Sequence, residues 1–145
     1  MREILFRGKQ ADDCYKWIEG YFVKLIDIEY KTPDQYRIYF SGAETELDNG
    51  GRIFYPDYDL IDPDTLGQYT GLIDTNGKKI FEGDILEYKT VDGVAHRGYV
   101  FFKDEIASFA CQMTKAMYIV LSFCSYPLTV IGNIYDNPEL LEGKR

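Results

Sequence analysis

Gly67-Gln68-Tyr69-Thr70-Gly71-Leu72-Ile73-Asp74-Thr75-Asn76-Gly77-Lys78-Lys79-Ile80-Phe81-Glu82-Gly83-Asp84-Ile85-Leu86 is the stretch whose reading decides the fold. Asn76-Gly77 between polar flanks is a tight-turn signal, because this dipeptide readily supplies the positive φ angles of a type I′ turn. Gly67 and Gly71 bracket Gln68, Tyr69 and Thr70, which suits a close path against another backbone, and Gly83 stands where a chain bends into a strand. Turns and strand starts at this density predict β structure rather than helix.

Reading outward, Val91-Asp92-Gly93-Val94 is a second turn signal. Taken as a two-residue loop it predicts a hairpin with Val91 facing Val94, Lys89 facing His96, Tyr88 facing Arg97, Leu86 facing Tyr99 and Ile85 facing Val100. Strands are also expected over 117–123 and 128–135, and Asn137-Pro138 opens a helical turn that Gly143 ends. Toward the N-terminus, a short strand over 4–6 runs into a turn over 7–13. Residues 17–30 carry apolar side chains on both parities: Trp17, Tyr21, Val23 and Leu25 on one, Ile18, Phe22, Ile26 and Ile28 on the other. That pattern predicts a strand covered on both faces. Residues 35–40 read as a further strand, 41–51 as a mobile acidic loop or lobe boundary, 52–55 as another short strand, and Asp62-Pro63 as an N-capped helical turn.

Composition agrees with a sheet protein. Of 145 residues, 13 are Tyr and 9 Phe, types that favour a half-buried pleated surface. The fold class expected is mainly β: short strands forming a small SH3-like barrel in the second half, an N-terminal β extension, and few helical turns. Residues 1–145 read as one compact domain, with 1–60 as an N-terminal lobe and 61–145 as the barrel lobe. A net charge of −8 and a pI near 4.6 oppose nonspecific nucleic-acid binding. Arg2, Arg7 and Lys9 read as a solvated strand end. Three widely spaced cysteines, no Cys-x-x-Cys pair and no long apolar run point to a reduced, cytoplasmic setting without membrane contact.

Candidate chemistry is sparse. His96 is the sole histidine and sits near the expected hairpin tip. Cys14, Cys111, Cys124 and His96 are zinc-ligand types but lack the close pairs of structural zinc modules. Asp57, Asp59, Asp62 and Asp64 crowd together, yet Leu60-Ile61 and Pro63 interrupt a calcium-loop pattern, so they read as a solvated loop ending in an N-cap. Gly67-x-x-x-Gly71 lacks the Gly-Lys-Ser/Thr ending of a phosphate loop. No catalytic residue, metal site or cofactor is expected. Gln68, Tyr69 and Thr70 are the candidate binding residues.

Five segments taken in order resemble the YopX-like family, small proteins of bacteriophages and prophages. They are Phe6-Arg7-Gly8-Lys9, then Trp17-Ile18-Glu19-Gly20-Tyr21-Phe22, then Asp62 through Leu72, Asp74 through Ile85, and Val130 through Leu141. The resemblance spans nearly the whole chain and is weaker over 31–60 and 103–126. It implies a mostly β fold with an SH3-like barrel, brings no established activity, and so carries over no catalytic residue. The expectation is a non-enzymatic phage or prophage accessory protein that binds host, phage or self protein, with homo-oligomerisation to cover exposed strand edges. The alternatives are a nucleic-acid-associated β module and a metal-dependent hydrolase.

Overall fold

A computed structural model describes residues 3–142, which divide into two compact units, Glu3–Gln68 and the part from Tyr69 onward. Both are antiparallel β. Among the described residues, helical content is limited to single 3₁₀ turns such as Pro63–Thr65 and Pro138–Leu141.

In the first unit β1 (Phe6–Lys9), β2 (Trp17–Leu25), β3 (Gln35–Glu46) and β4 (Arg52–Leu60) pair in the order β4-β3-β2-β1. The other edge of β1 is taken by Gly67 and Gln68, the first residues of β5 (Gly67–Ile73). Asp62 caps the 3₁₀ turn as its position before Pro63 predicts, its carboxylate accepting from the Asp64 N–H at 3.0 Å.

Four expectations for this unit need correction. Segment 41–51 is not a loop but the tip of a long hairpin in which Glu46 pairs with Arg52 and Ala43 with Tyr55. Asp57 and Asp59 accordingly lie on β4 instead of in a solvated loop. β4 is an edge strand, and there Pro56, lacking an N–H, is tolerated. Arg7 is not a solvated strand end. It lies on β1, is 7% exposed, and sets its guanidinium 4.7 Å from the Trp17 ring centroid. Finally, β2 stops at Leu25, and beyond Gly20 it is covered on one face only. That face holds Phe22, which packs tilted on Phe6 (5.5 Å) and stacked on Tyr36 (6.2 Å), and is continued on β3 by the fully buried Ile38. Gly20 lets Ile38 approach; a Cβ there would fall 2.3 Å from the Tyr39 carbonyl oxygen.

In the second unit, β5 continues from Tyr69 and pairs with β6 (Lys79–Phe81). β7 (Asp84–Lys89), β8 (Ala95–Lys103), β9 (Ser108–Thr114), β10 (Met117–Val120) and β11 (Thr129–Asn133) form a five-stranded sheet ordered β10-β9-β8-β7-β11. No ladder joins its edges β10 and β11, so the sheet is open where closure into a barrel was expected. The strand expected over 117–123 ends at Val120 in the 3₁₀ turn Leu121–Phe123.

The β7–β8 hairpin forms, one residue away from the expected register: Tyr88, not Lys89, faces His96, and Leu86 faces Gly98. The turn is the reason. The Gly93 N–H bonds back to the Thr90 carbonyl at 2.8 Å and the Thr90 N–H to the Val94 carbonyl at 3.0 Å, and among Thr90 to Val94 only Gly93 has positive φ (81°). This four-residue turn ending in a left-handed glycine replaces the two-residue type I′ loop. A one-residue slip exchanges the faces of one strand relative to the other, so Leu86, Tyr88 and Val100 share the core face. Asp74 to Gly77 closes in the same way, with positive φ at Gly77 and not at Asn76.

That core face packs Ile80, Leu86, Tyr88, Val100, Phe109 and Cys111 together, Leu86 being wholly enclosed. Asp74 ties its rim together. One carboxylate oxygen accepts from the Asn76 and Lys78 N–H groups, each at 2.8 Å, and the other from Val130 at 3.0 Å. Burial would push this carboxyl up, but the Val130, Lys78 and Asn76 donors together with the Lys78 charge outweigh it and hold the group below its ordinary value. At the other end Asn137 does not cap the turn it precedes; its side-chain oxygen accepts from the Asn133 N–H at 3.3 Å instead. Gly143, expected as the terminator, lies outside the described residues.

Candidate interaction surface

Strand alternation puts Tyr21, Val23 and Leu25 on the face of β2 opposite Phe22. The ladders extend this face across the sheet, aligning Tyr21 with Tyr39 and then Tyr58, and Val23 with Arg37 and then Leu60. Tyr21 is 65% exposed, and Val23, Leu25, Tyr58 and Leu60 are also open to solvent. Cross-strand contacts order the face. The Tyr39 and Tyr58 rings lie 5.2 Å apart, and the Arg37 guanidinium sits 4.1 Å from the Tyr58 centroid while donating to the Tyr39 hydroxyl at 3.2 Å. Tyr and Arg over an apolar base are the residue types enriched where proteins bind proteins. Beside Tyr58 and Leu60, a cleft of about 380 Å³ bounded by Ala11 and Asp12 gives the patch relief.

Where β2 ends, the chain presents more apolar surface on a fixed turn. One Asp27 carboxylate oxygen accepts from the N–H groups of Glu29 (3.0 Å) and Tyr30 (2.8 Å), and the other from the Thr32 hydroxyl (2.8 Å). The Tyr30 N–H, with the Thr32 hydroxyl next, holds this carboxyl below its ordinary value. Ile26, Ile28 and Tyr30 project from the turn, Ile28 at 88% exposure. Ordering the backbone with a side-chain cap lowers the entropy that a partner must remove on binding.

The residues singled out from sequence fall elsewhere. Tyr69 and Thr70 are buried: Tyr69 packs on Phe81 at 5.5 Å, and the Thr70 hydroxyl donates to the Ile80 carbonyl at 2.8 Å and accepts from the Leu72 N–H at 3.2 Å. Gln68 is half-buried on the β1 ladder. Tyr69 and Thr70 therefore join β5 to β6 and offer little surface. His96 stacks on Tyr88 at 5.2 Å, and Tyr88 stacks in turn on Tyr126 at 5.1 Å. Cys14 is exposed, Cys111 is buried with its thiol pushed up to about 12 by desolvation, and all three cysteines are free thiols. Among the described residues, no three His, Cys, Asp or Glu side chains come close enough to share a metal ion, and no helix is long and apolar enough to cross a membrane.

Two antiparallel units with only single helical turns define a small, mainly β protein. The chain belongs to the YopX family, described as YopX protein, whose profile matches residues 6–142. It is similar to the crystal structure of protein EF1440 from Enterococcus faecalis, with 27% sequence identity and a TM-score of 0.63 over 98% of this chain and 100% of that one. No curated protein matches it.

Proposed function

We propose that this chain is a non-enzymatic accessory protein of a phage or prophage, acting in the host cytoplasm by binding another protein through the bare face of its first unit. One observation carries the reading. Residues 17–25 have the two-sided apolar pattern of a fully covered strand, and beyond Gly20 only the Phe22 face is covered; the face of Tyr21, Val23 and Leu25 lies open beside Tyr39, Tyr58 and Leu60. A sequence that keeps a second face apolar while leaving it wet is suited to a partner that dries it. Arg37 and the three tyrosines supply orientation, since each combines an apolar body with a polar tip.

The partner is a host, phage or second-copy protein presenting an apolar strand or helix face. Light scattering separates self-association from hetero-association. Wild-type protein and the Tyr21→Ser/Val23→Ser/Leu60→Ser variant would be compared by mass in solution and as baits in quantitative capture from host lysate. The reading expects either a mass above one chain or a specific captured protein, lost in the variant. A wild-type monomer that captures nothing the variant does not would contradict it.

A further inference from the structure

We infer that the second unit carries a separate binding site for a small organic anion, in the cleft between the Arg97 end of β8, the β9–β10 turn and the C-terminal 3₁₀ turn. The cleft measures about 400 Å³, within the size range of small-molecule sites, and is lined by Arg97, Tyr99, Gln112, Thr114, Lys115 and Leu141, with Met113 at its side.

Its chemistry is one-sided. Arg97 donates from Nε to Glu87 Oε2 at 2.8 Å, and among the described residues neither of its Nη groups has a partner. Lys115 forms no ion pair among the described residues, and the Tyr99 hydroxyl has no acceptor there. The lining therefore offers donors and two positive charges, one of them paired through Nε to Glu87. Charge-assisted hydrogen bonds to an anionic oxygen are the strong ones, and a guanidinium held through Nε presents its remaining fork for them. Glu87 thus acts as a positioning residue for Arg97. Leu141 and the Tyr99 ring provide apolar surface for the body of the ligand, which a bare inorganic ion would leave unused.

The site is ordered before any ligand arrives. The Gln112 side-chain amide donates to the Thr114 carbonyl and to the Met117 carbonyl at 3.2 Å, and the Thr114 hydroxyl accepts from the Ala116 N–H at 3.3 Å, so the turn carrying Lys115 is pinned at both ends. Opposite it, Leu141 ends a 3₁₀ turn anchored by the Asn137–Asn133 bond. The net charge of −8 does not cancel this local field, because at physiological salt charges farther than about 8 Å are largely screened.

The ligand class is an anionic oxygen group, phosphate or carboxylate, on a compact apolar or planar body. The test titrates full-length, isotope-labelled protein with phenyl phosphate, benzoate, phenol and inorganic phosphate while following backbone amide resonances. Phenyl phosphate or benzoate should move the amides of Tyr99, Gln112, Thr114, Lys115 and Leu141, and whichever binds tighter identifies the head group. Phenol and inorganic phosphate should each bind about tenfold more weakly than the better anion. Arg97→Gln and Lys115→Gln should each weaken binding about tenfold; Lys115 lies on an exposed turn, so its variant keeps the test valid if Arg97→Gln unfolds. No shift of these amides at about 10 mM of either anion, equal binding of phenol or inorganic phosphate, or unchanged affinity in Lys115→Gln would overturn the inference.

Discussion

The unit from Tyr69 onward and the unit Glu3–Gln68 are both antiparallel and both rich in aromatics, yet they place their apolar residues differently. In the second, Leu86, Val100, Ile80 and Phe109 converge into one enclosed cluster, with Asp74 fastening its rim. In the first, Ile38 and Ile61 are enclosed while Tyr21, Ile26, Ile28, Tyr30, Phe54 and Tyr55 face solvent. Burying apolar area drives folding at roughly 25 cal/mol per Å², so residues that stay wet add nothing to that term. The difference teaches that similar strand composition serves two ends, one large enclosed cluster in the second unit and an open sheet face in the first.

The comparison makes graded predictions. Leu86→Ala opens a cavity in an enclosed core and should cost about 2–5 kcal/mol, read as a lower denaturant midpoint at unchanged slope. Asp74→Ala strands three backbone donors and should cost about 3 kcal/mol. Its pH dependence has a definite sign. The folded-state value is depressed, so the contribution of Asp74 is complete above its unfolded value near 4 and is lost as pH falls through the lower folded value. Acid denaturation of Asp74→Ala should therefore have a shallower limb than that of wild type.

Gly93→Ala forces a Cβ into φ 81° and should cost about 1–2 kcal/mol by thermal unfolding. A negligible effect would contradict the left-handed residue at position 93 as the feature that closes this turn. Ile28→Ser should change stability by less than about 0.5 kcal/mol, since nothing encloses that side chain. A loss as large as that of Leu86→Ala would show that Ile28 serves the fold and would erase the contrast between the units.

Much of the architecture was legible in the sequence. Asn76-Gly77 announces a tight turn and Asp92-Gly93 a hairpin because glycine admits positive φ, and strands follow where β-branched and aromatic residues run between them. What the dipeptides left open was the number of residues in each turn. Thr90 closes on Gly93 and fixes a register that no alternation pattern could choose, since Ile85 and Leu86 are apolar on both parities. The acidity of segment 41–51 suggests a loop, although Ala43, Thr45 and Leu47 alternate with Glu44 and Glu46 at a strand's period of two.

The candidate site was legible only in part. Gly67 and Gly71 directed attention to Gln68, Tyr69 and Thr70, whose small, close-packed surroundings bury Tyr69 and Thr70. The bare face is visible in the same chain as the apolar alternate positions 21, 23 and 25, with the same spacing of two at Tyr58 and Leu60. A two-sided apolar strand says that both faces prefer to be dry; it does not say whether the second cover comes from the same chain.

The most direct measurement pairs stability with partner capture in the Tyr21→Ser/Val23→Ser/Leu60→Ser variant. A bare face kept for a partner predicts an unfolding midpoint close to wild type together with loss of the self-association or of the protein that the wild type captures. A variant that unfolds with the cooperativity loss of a core mutant, or that retains every association of the wild type, would contradict the account.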